Sequence, residues 1–414
     1  MTPTLPEIRS QFPSLGTGFA FLENAGGSQV PAAVIDAVSR FYREDYAQKG
    51  ATYEASKRCT AIHDACKVFM NRIFGGEATG DVAVGQSATA LFAMLANAYR
   101  QTLAPGDEIV VSLANHESHI GCWERLSECG AVVKFWGVDP ETGLSSIQGL
   151  REIVTERTKL ICCSRTCNLL GDVLDIREVA KIARSVGAHT VVDVVASASH
   201  EAPEVEAWDI DFCCFSCYKV FGPHMAALWG RHDRWASLPA PNHRQLARSG
   251  AFNFELGCLS YESLAGFLAL GGYFGFLAGV AVPDDESPSR ETIKEAYRVI
   301  QGLEAEISRE MWDWLGSRRG IRILGDRGAL GRHPTFSFVC DSHSSLDVER
   351  QVNQNGIGIK SGHFYAWRAC EAVGLAPEPG VVRVSALHYN TPDEIRRVCT
   401  VLDSVLDGKP IPIQ

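Results

Sequence analysis

Short apolar runs alternate with longer helix-like stretches between about residues 80 and 230 of the 414-residue chain. Seven runs are expected to be strands: DVAV (81–84), EIVVSL (108–113), VVKFW (132–136), KLICC (159–163), TVVDVV (190–195), DFCCF (211–215) and AALWG (226–230). Strands separated by helices need crossover connections, which produce a mostly parallel sheet with helices on both faces. The alternation therefore predicts a three-layer α/β domain.

An uncharged apolar segment, LAGFLALGGYFGFLAGVAV (264–282), follows this region and is long enough to cross a bilayer. Five glycines interrupt it and acidic residues flank it without a basic anchor, so we expect a buried helix and no membrane span. Next come a linker (282–291) and a smaller α+β domain. The predicted parts are residues 1–30, an N-terminal segment that packs on the small domain, 31–285, the large domain, and 286–414, the small C-terminal domain.

Charge and cysteine usage exclude some classes of partner and location. Acidic residues outnumber basic ones 49 to 39, which argues against nucleic acid as a partner. The N-terminus, MTPTLPEIRSQFPSL, lacks the basic and apolar regions of a secretory signal. Because the 14 cysteines are spread through a long chain, reduced thiols are expected. These features predict a cytoplasmic protein.

Polar residues follow several of the predicted strands, at the edge of the sheet where open α/β domains bind ligands. They are Ser87 and Thr89, with Ala88 between them, in GQSAT, His116 in NHESH, Asn168 in RTCNLLG, Asp193, and Ser216 with Lys219 in FSCYKVFGP. A buried carboxylate such as Asp193 needs a partner, and a pyridinium nitrogen is a suitable one. GQSAT precedes a helix, whose N-terminus favours a phosphate. With a Schiff-base lysine, these groups indicate a site for pyridoxal 5′-phosphate (PLP).

These motifs resemble those of the class V aminotransferase and cysteine desulfurase family, fold-type I PLP-dependent enzymes. The resemblance extends from FLENAGGSQVP (21–31) to VVRVSALHYNT (381–391) and includes the lysine motif FSCYKVFGP, the asparagine motif NLLG and the loop motif GHFY. It implies the PLP-dependent transferase fold, with a three-layer α/β/α large PLP-binding domain and a smaller α+β C-terminal domain. The pair of motifs GHFYA and VVRVSALHYNT resembles a desulfurase-like subgroup more closely than the true desulfurases.

The resemblance also implies a role for each matching residue. Lys219 forms the aldimine with PLP and then moves the substrate Cα proton. Asp193 keeps the pyridine nitrogen protonated, and His116 stacks on the ring. Asn168 hydrogen-bonds the ring hydroxyl or the substrate carboxylate, and Arg383 binds the substrate α-carboxylate.

Further positions complete the cofactor and substrate sites that the resemblance implies. Ser216 and the loop Ser87, Ala88 and Thr89 hold the phosphate, while His363 and Tyr365 contact the substrate. The motif FELGC, with Gly257 and Cys258, resembles a segment that donates to the phosphate of the partner subunit. A homodimer with shared active sites is therefore expected.

The chain departs from the desulfurase pattern at the loop that should carry the sulfur-accepting cysteine. In KSGHFYAWRAC, Tyr365 stands at that place and Cys370 lies five residues later. Tyr218 replaces a histidine, Ala196 replaces a polar residue that contacts the ring oxygen, and Cys258 replaces a phosphate-binding threonine. Because thiolate attack needs a nucleophile at bonding distance, the sequence argues against persulfide formation.

Two groups of cysteines lie within or just after predicted strands, a spacing that could suggest a metal site. In buried strands, however, cysteine is common as a small apolar residue. The clusters are Cys162, Cys163 and Cys167, then Cys213, Cys214 and Cys217. No metal site is predicted.

The leading hypothesis is a PLP-dependent enzyme that acts on an amino acid through a Cα carbanion. Elimination, with a C–S lyase as the preferred case, needs no loop cysteine when the leaving group departs unaided. A class V aminotransferase or an epimerase is the alternative. A catalytically weak PLP-fold protein that binds a partner in sulfur handling is a third reading.

Overall fold

The computed structural model describes residues 2–239, 241–243, 250–283, 285–325 and 332–411. The strands are β1 (Ala20–Phe21), β2 (Gly80–Gly85), β3 (Glu108–Ser112), β4 (Val132–Trp136), β5 (Thr158–Ser164), β6 (His189–Asp193), β7 (Phe212–Ser216), β8 (Ala226–Arg231), β9 (Ile321–Ile323), β10 (Thr335–Cys340), β11 (Ile357–Gly358), β12 (Lys360–Gly362) and β13 (Val381–Ser385). The α-helices are α1 (Leu5–Ser10), α2 (Ala32–Arg40), α3 (Glu54–Phe74), α4 (Ala88–Arg100), α5 (Gly121–Glu124), α6 (Ile147–Ile153), α7 (Ile176–Val186), α8 (Val205–Trp208), α9 (His232–Ser237), α10 (Tyr261–Ala278), α11 (Arg290–Ser317), α12 (Ser345–Asn353), α13 (Trp367–Ala372) and α14 (Pro392–Leu406).

The larger sheet contains all seven strands predicted between residues 80 and 230, in the order β2-β8-β7-β6-β5-β3-β4. Strands β3 to β7 pair in parallel, whereas β8 is antiparallel to both β7 and β2. The reversal follows from the short connection between β7 and β8, where a 3-10 turn and a loop replace a crossover helix. The predicted mixed α/β fold with a mostly parallel sheet is confirmed.

Both faces of this sheet are buried, which explains the apolar character of its strands. Alternate residues enter opposite cores: Cys213 and Phe215 pack in one cluster, and Phe212 and Cys214 in the other. The apolar segment predicted as a buried helix forms α10, which packs against α2, α3 and α11. Among the described residues, no helix is both long and apolar enough to span a bilayer.

A smaller four-stranded sheet, in the order β12-β13-β10-β9, is antiparallel throughout. Near the N-terminus, β1 pairs in parallel with β11, and the Asn24 amide nitrogen donates to the Ser385 carbonyl oxygen. Helix α11 joins the two halves of the molecule. Its first half packs in the core of the large sheet, and its second half packs beside the small sheet. The boundaries at residues 30 and 285 stay a prediction.

Candidate active site

Three neighbouring parallel strands end at one edge of the large sheet, and each ends in a polar residue. These residues are Ser164 on β5, Asp193 on β6 and Ser216 on β7, and Ser164 pairs in register with Asp193. Asp193 and Ser216 are buried. The arrangement places hydroxyl and carboxyl groups side by side where ligands of α/β sheets bind.

Lys219 lies directly beyond this edge, at the end of the 3-10 turn Cys217–Lys219 that follows β7. Its side chain is buried, and Nζ donates to the Ala25 carbonyl oxygen at 2.7 Å. Burial, with a smaller contribution from the nearby Arg383 charge, lowers the pKa of Lys219 to about 8. A substantial fraction of the amine is therefore neutral near physiological pH, as a nucleophile or base requires.

Asp193 is the buried carboxyl group of the site. Its Oδ1 accepts a hydrogen bond from the Val195 backbone amide at 2.7 Å. Burial raises the pKa of Asp193 to about 6, although the Val195 hydrogen bond and the Lys219 charge act in the opposite direction. A cationic ring nitrogen would be a stronger partner for this carboxylate than either of those groups.

Helix α4 begins at the same edge, immediately after β2. Ser87 is its N-cap, and its hydroxyl accepts a hydrogen bond from the Ala90 amide at 3.2 Å. Ala88 and Thr89 occupy the first turn, where backbone N–H groups have no partner within the helix. The 13-residue helix thus directs its positive end at the cavity beside Lys219.

His116 projects into the cavity from the loop after β3. Because the Ser118 amide donates to its Nδ1 at 3.1 Å, Nδ1 is an acceptor and the neutral ring carries its proton on Nε2. Burial, together with the charges of Lys219 and Arg383, lowers the pKa of His116 to about 4. A neutral imidazole is suited to lie against an aromatic ring.

These residues enclose an inner cavity, which opens into an outer cavity of about 690 Å³. The inner cavity is lined by Ser87, Ala88, Thr89, Ser118, Ser164, Thr166, Asp193, Val195, Ala196 and Ser216. The outer cavity is lined by Glu23, Ala25, Gly26, Leu346, Lys360, Ser361, Gly362, His363, Phe364, Tyr365, Glu378, Pro379 and Arg383. His116, Asn168, Tyr218 and Lys219 line both cavities.

The residues of the inner cavity fit PLP. Two of its buried polar atoms, Asn168 Oδ1 and Thr166 Oγ1, have no hydrogen-bond partner within the protein, so a polar ligand would satisfy them. The start of α4 with Ser216 suits the phosphate, Asp193 suits the ring nitrogen, and the Lys219 amine suits the aldehyde.

Arg383, on β13, is the cation of the outer cavity and is buried. Its Nη1 donates to the Asn168 carbonyl oxygen at 2.9 Å, and its Nη2 lies 3.2 Å from Glu23 Oε1. The guanidinium carbon lies 3.6 Å from the centre of the Phe364 ring. Burial lowers the pKa of Arg383 to about 10, so it keeps its charge at neutral pH. The Glu23 contact shows that a carboxylate can reach this guanidinium.

The segment 363–368, a loop with the first two residues of α13, closes the outer cavity opposite the sheet edge, and we call it the loop wall. The Glu117 amide donates to the Tyr365 carbonyl oxygen at 2.7 Å, and Asn168 Nδ2 donates to the Phe364 carbonyl oxygen at 2.8 Å. Arg368 forms an ion pair with Glu124 at 2.6 Å. The loop wall is thus held by residues that follow β3 and β5.

Tyr365 occupies the tip of the loop wall, with its side chain 66% exposed and its ring 5.1 Å from that of His116. Cys370 instead lies in α13, fully buried in an apolar cluster, and burial raises the pKa of its thiol to about 11. None of the described residues that line the two cavities is a cysteine. In the part of the chain that the structure describes, no three His, Cys, Asp or Glu residues are grouped to hold a metal ion.

The structure brings most of the predicted residues together, but not all of them. Gly257 and Cys258 are exposed and line neither cavity of this chain. The polar neighbours of His119 in NHESH predict an exposed loop histidine, but this prediction is wrong: His119 is fully buried, because its ring packs against Phe92 and Trp123.

Sequence reasoning missed Glu23, Thr166 and the Ala25 carbonyl group. Glu23 and Ala25 directly follow β1, whose two residues are too short a run to be recognised as a strand. Only the pairing of this segment with the small sheet brings Glu23 to Arg383. The sequence feature that could have identified Glu23 is its position as a carboxylate near two consecutive glycines in ENAGG.

Comparisons with known proteins agree with this geometry. A family model described as aminotransferase class-V matches residues 20–243 and 294–398. The aminotransferase-like protein FGM3 of Gibberella zeae is 32% identical over 97% of this chain and 98% of its own. The cysteine desulfurase-like protein ustD of Aspergillus flavus is 30% identical over 96% of this chain and 90% of its own.

A solved structure supports the same fold. The apo structure of a cysteine desulfurase from Thermococcus onnurineus NA1 matches with a TM-score of 0.86 at 20% identity, covering 99% of each chain. Together with the family match over most of the sequence, these similarities show that the chain belongs to the class V aminotransferase and cysteine desulfurase family of PLP-dependent enzymes.

Proposed function

We propose that this enzyme eliminates a sulfur leaving group from the β-carbon of an amino acid, without passing the sulfur to a cysteine of its own. In this reaction an S-substituted cysteine and water give a thiol, pyruvate and ammonium. When bound, PLP supplies the electron sink that acidifies the substrate Cα–H bond. Every other contribution comes from the side chains of the two cavities.

Lys219 is the base in this proposal. Its neutral amine takes the Cα proton and can return it to the leaving group, because burial already lowers its pKa to about 8. Asp193 would pair with the ring nitrogen of bound PLP, Ser216 and the first turn of α4 would hold its phosphate, and Asn168 would hydrogen-bond its ring hydroxyl. Neutral His116 would pack against the ring.

Arg383 orients the substrate by binding its α-carboxylate. Its guanidinium is fixed by the Asn168 carbonyl oxygen and by the Phe364 ring, so little side-chain entropy is lost on binding. Glu23 must release Nη2 before a substrate carboxylate can bind both guanidinium nitrogens. His363 and Tyr365 line the same cavity and contact the substrate side chain.

One observation carries the proposal: the position of the sulfur-accepting cysteine holds Tyr365, and the nearest following thiol is buried. Cys370 is a neutral thiol inside an apolar cluster, so it is neither accessible nor nucleophilic. This arrangement supports elimination with an unaided leaving group over persulfide formation on a cysteine of the same chain.

An aminotransferase is the second candidate, because the relative FGM3 is named aminotransferase-like and covers nearly the whole chain. Both reactions begin with removal of the Cα proton by Lys219. They differ in where the proton goes afterwards and in whether the amino group stays with the cofactor.

We also propose that the enzyme is a cytoplasmic homodimer with shared active sites. All 14 cysteines are free thiols, which suits a reducing compartment. Cys258 and its neighbour Leu256 are exposed, as are Tyr42 and Tyr46. These groups lie where a partner subunit could cover them, and the partner's active site could then receive the segment 254–258.

The test is a product assay on the purified holoenzyme with cysteine and S-methylcysteine as substrates. We expect pyruvate and ammonium in equal amounts, and no sulfane sulfur on the protein. Lys219→Ala should abolish pyruvate release and the absorbance band of lysine-bound PLP. Accumulation of pyridoxamine phosphate, with amino transfer to an added 2-oxo acid, would replace the lyase by the aminotransferase.

A further inference from the structure

A second cation stands beside Arg383 in the outer cavity. Strand β12 pairs antiparallel with β13, and Lys360 lies directly opposite Arg383 in the register. Residues opposite each other in an antiparallel pair carry their side chains on the same face, with Cα atoms roughly 4.5–5.5 Å apart. Both side chains line the outer cavity. The wall opposite the sheet edge therefore presents two positive charges side by side.

The two cations differ in their partners. Arg383 is buried and engaged by Glu23, the Asn168 carbonyl oxygen and the Phe364 ring. Lys360 is exposed, and no described residue forms an ion pair or hydrogen bond with its side chain. Like charges directly opposite one another destabilise a strand pair. The position of Lys360 opposite Arg383 therefore destabilises the pairing of β12 with β13, and a bound anion would offset this effect.

The nearby carboxylates do not remove this charge. Glu23 and Glu349 line a neighbouring cavity together with Lys360, but Glu23 forms its ion pair with Arg383, and Glu349 accepts hydrogen bonds from the amide and the hydroxyl of Ser361. Glu378 is the other carboxylate on the outer cavity wall, and it forms no ion pair within the described residues. Arg383 therefore has an internal carboxylate that a substrate carboxylate can replace, whereas Lys360 has none.

We infer that Lys360 binds a second anionic group, at the end of the substrate side chain, while Arg383 binds the α-carboxylate. The inference rests on the proposed function and specifies its substrate class: amino acids with an acidic side chain. For the elimination, S-carboxymethylcysteine is such a substrate. Its Cβ–S bond breaks, the electron pair leaves with sulfur, and water completes the reaction to mercaptoacetate, pyruvate and ammonium.

The first arm of the test measures binding without chemistry. Glutarate and its half-amide, glutaramate, have nearly the same shape, differ by one negative charge and lack the amine that reacts with PLP. Their dissociation constants are measured by calorimetry on the PLP-loaded wild type and on Lys360→Met, Lys360→Arg and Lys159→Met. Lys159 is a matched control, because it is an exposed strand lysine outside both cavities and without an ion pair.

We expect wild type to bind glutarate about fivefold or more tightly than glutaramate, as for a partly exposed ion pair. Lys360→Met should abolish the preference, Lys360→Arg should keep it, and Lys159→Met should behave as wild type. A lysine that only protects the edge strand β12 from pairing with other chains would leave the preference unchanged in Lys360→Met. That result, or no preference in wild type, would overturn the inference.

The second arm compares kcat/KM for S-carboxymethylcysteine and its neutral isostere, S-carbamoylmethylcysteine. We expect wild type to favour the acid by a similar factor and Lys360→Met to lose the difference. If glutarate binding depends on Lys360 but neither compound yields pyruvate, the lyase proposal fails and the second-anion site stands. If both compounds react equally in wild type and Lys360→Met, the site fails and the lyase stands.

Discussion

The two sides of the active-site cavity are built in different ways. On one side, Asp193, Ser216 and Lys219 are set by the ends of regular parallel strands and are buried. On the other side, the loop wall has left-handed backbone at Phe364 and Tyr365, with φ of 51° and 59°. Such backbone is strained for residues with a side chain and persists only where neighbouring contacts fix it.

This difference separates two functions of the cavity. In the proposed reaction, the sheet edge supplies the groups that chemistry at Cα needs, and the fold leaves them little freedom. The loop wall, together with β12 and β13, would supply the groups that meet the substrate carboxylates and side chain. Changes on the sheet edge should therefore reduce kcat for every substrate, whereas changes on the loop wall should alter KM and selectivity.

Lys219→Ala is the most severe test of the sheet edge. We expect kcat to fall by roughly 10⁴-fold, because the variant loses both the group that attaches PLP and the base at Cα. Pyruvate release and the cofactor absorbance band are the measurements, with Lys159→Met as the control. Activity within tenfold of wild type would show that another group moves the proton.

Asp193→Asn should reduce kcat by roughly 10²-fold through loss of the charge opposite the ring nitrogen. It should also stabilise the cofactor-free protein at neutral pH. The pKa of Asp193 is about 6 in the fold and about 3.9 in an unfolded chain. Because the folded pKa is the higher one, the stability that wild type has below about pH 4 is lost as the pH rises through 6.

Urea unfolding of the cofactor-free proteins checks this pH dependence. The variant should exceed wild type by up to about 3 kcal/mol at pH 8, and the difference should vanish near pH 4. Asparagine can still accept the hydrogen bond from Val195, so the comparison isolates the charge. A variant less stable than wild type at pH 8 would contradict the argument.

On the loop wall, Phe364→Leu should raise KM about fivefold while kcat stays within twofold. The change removes the aromatic face under the Arg383 guanidinium, and such a contact contributes about 0.5–2 kcal/mol. Phe364→Tyr keeps the ring and the same backbone strain, so it should retain the wild-type KM. Equal effects of both variants would assign the loss to the backbone of the loop wall rather than to the stacked ring.

The same contrast explains how much the sequence could predict. Each strand of the large sheet could be identified from the sequence, because a strand that is buried on both faces appears as a continuous run of apolar, often β-branched residues. Asp193, Ser216 and Lys219 then followed from the rule that ligands lie at the carboxyl ends of parallel strands. Only the direction of β8 differs from that expected for strands that alternate with helices, because a 3-10 turn and a loop, and no α-helix, connect β7 to β8.

The loop wall side could not be derived in that way. Glu23 reaches Arg383 through a pairing between residues more than 300 positions apart, and β1 has only two residues. The position of Lys360 depends on the register of β12 with β13, and no sequence pattern fixes that register. The polar neighbours of His119 in the loop indicate an exposed residue, whereas its ring is packed against Trp123.

Cys370→Ala should have the smallest effect, and it completes the comparison. The thiol lies in the loop-wall half of the molecule but is fully buried, with a pKa raised to about 11, so we expect it to take no part in the reaction. We expect kcat and KM within twofold of wild type and a loss of about 1 kcal/mol in the free energy of unfolding, from the lost packing. Cys399→Ala, which changes a buried thiol of α14 that lines neither cavity, is the matched control. If Cys370→Ala alone lost most of its activity, the loop wall would have to open far enough to expose the thiol, and a persulfide route would regain support.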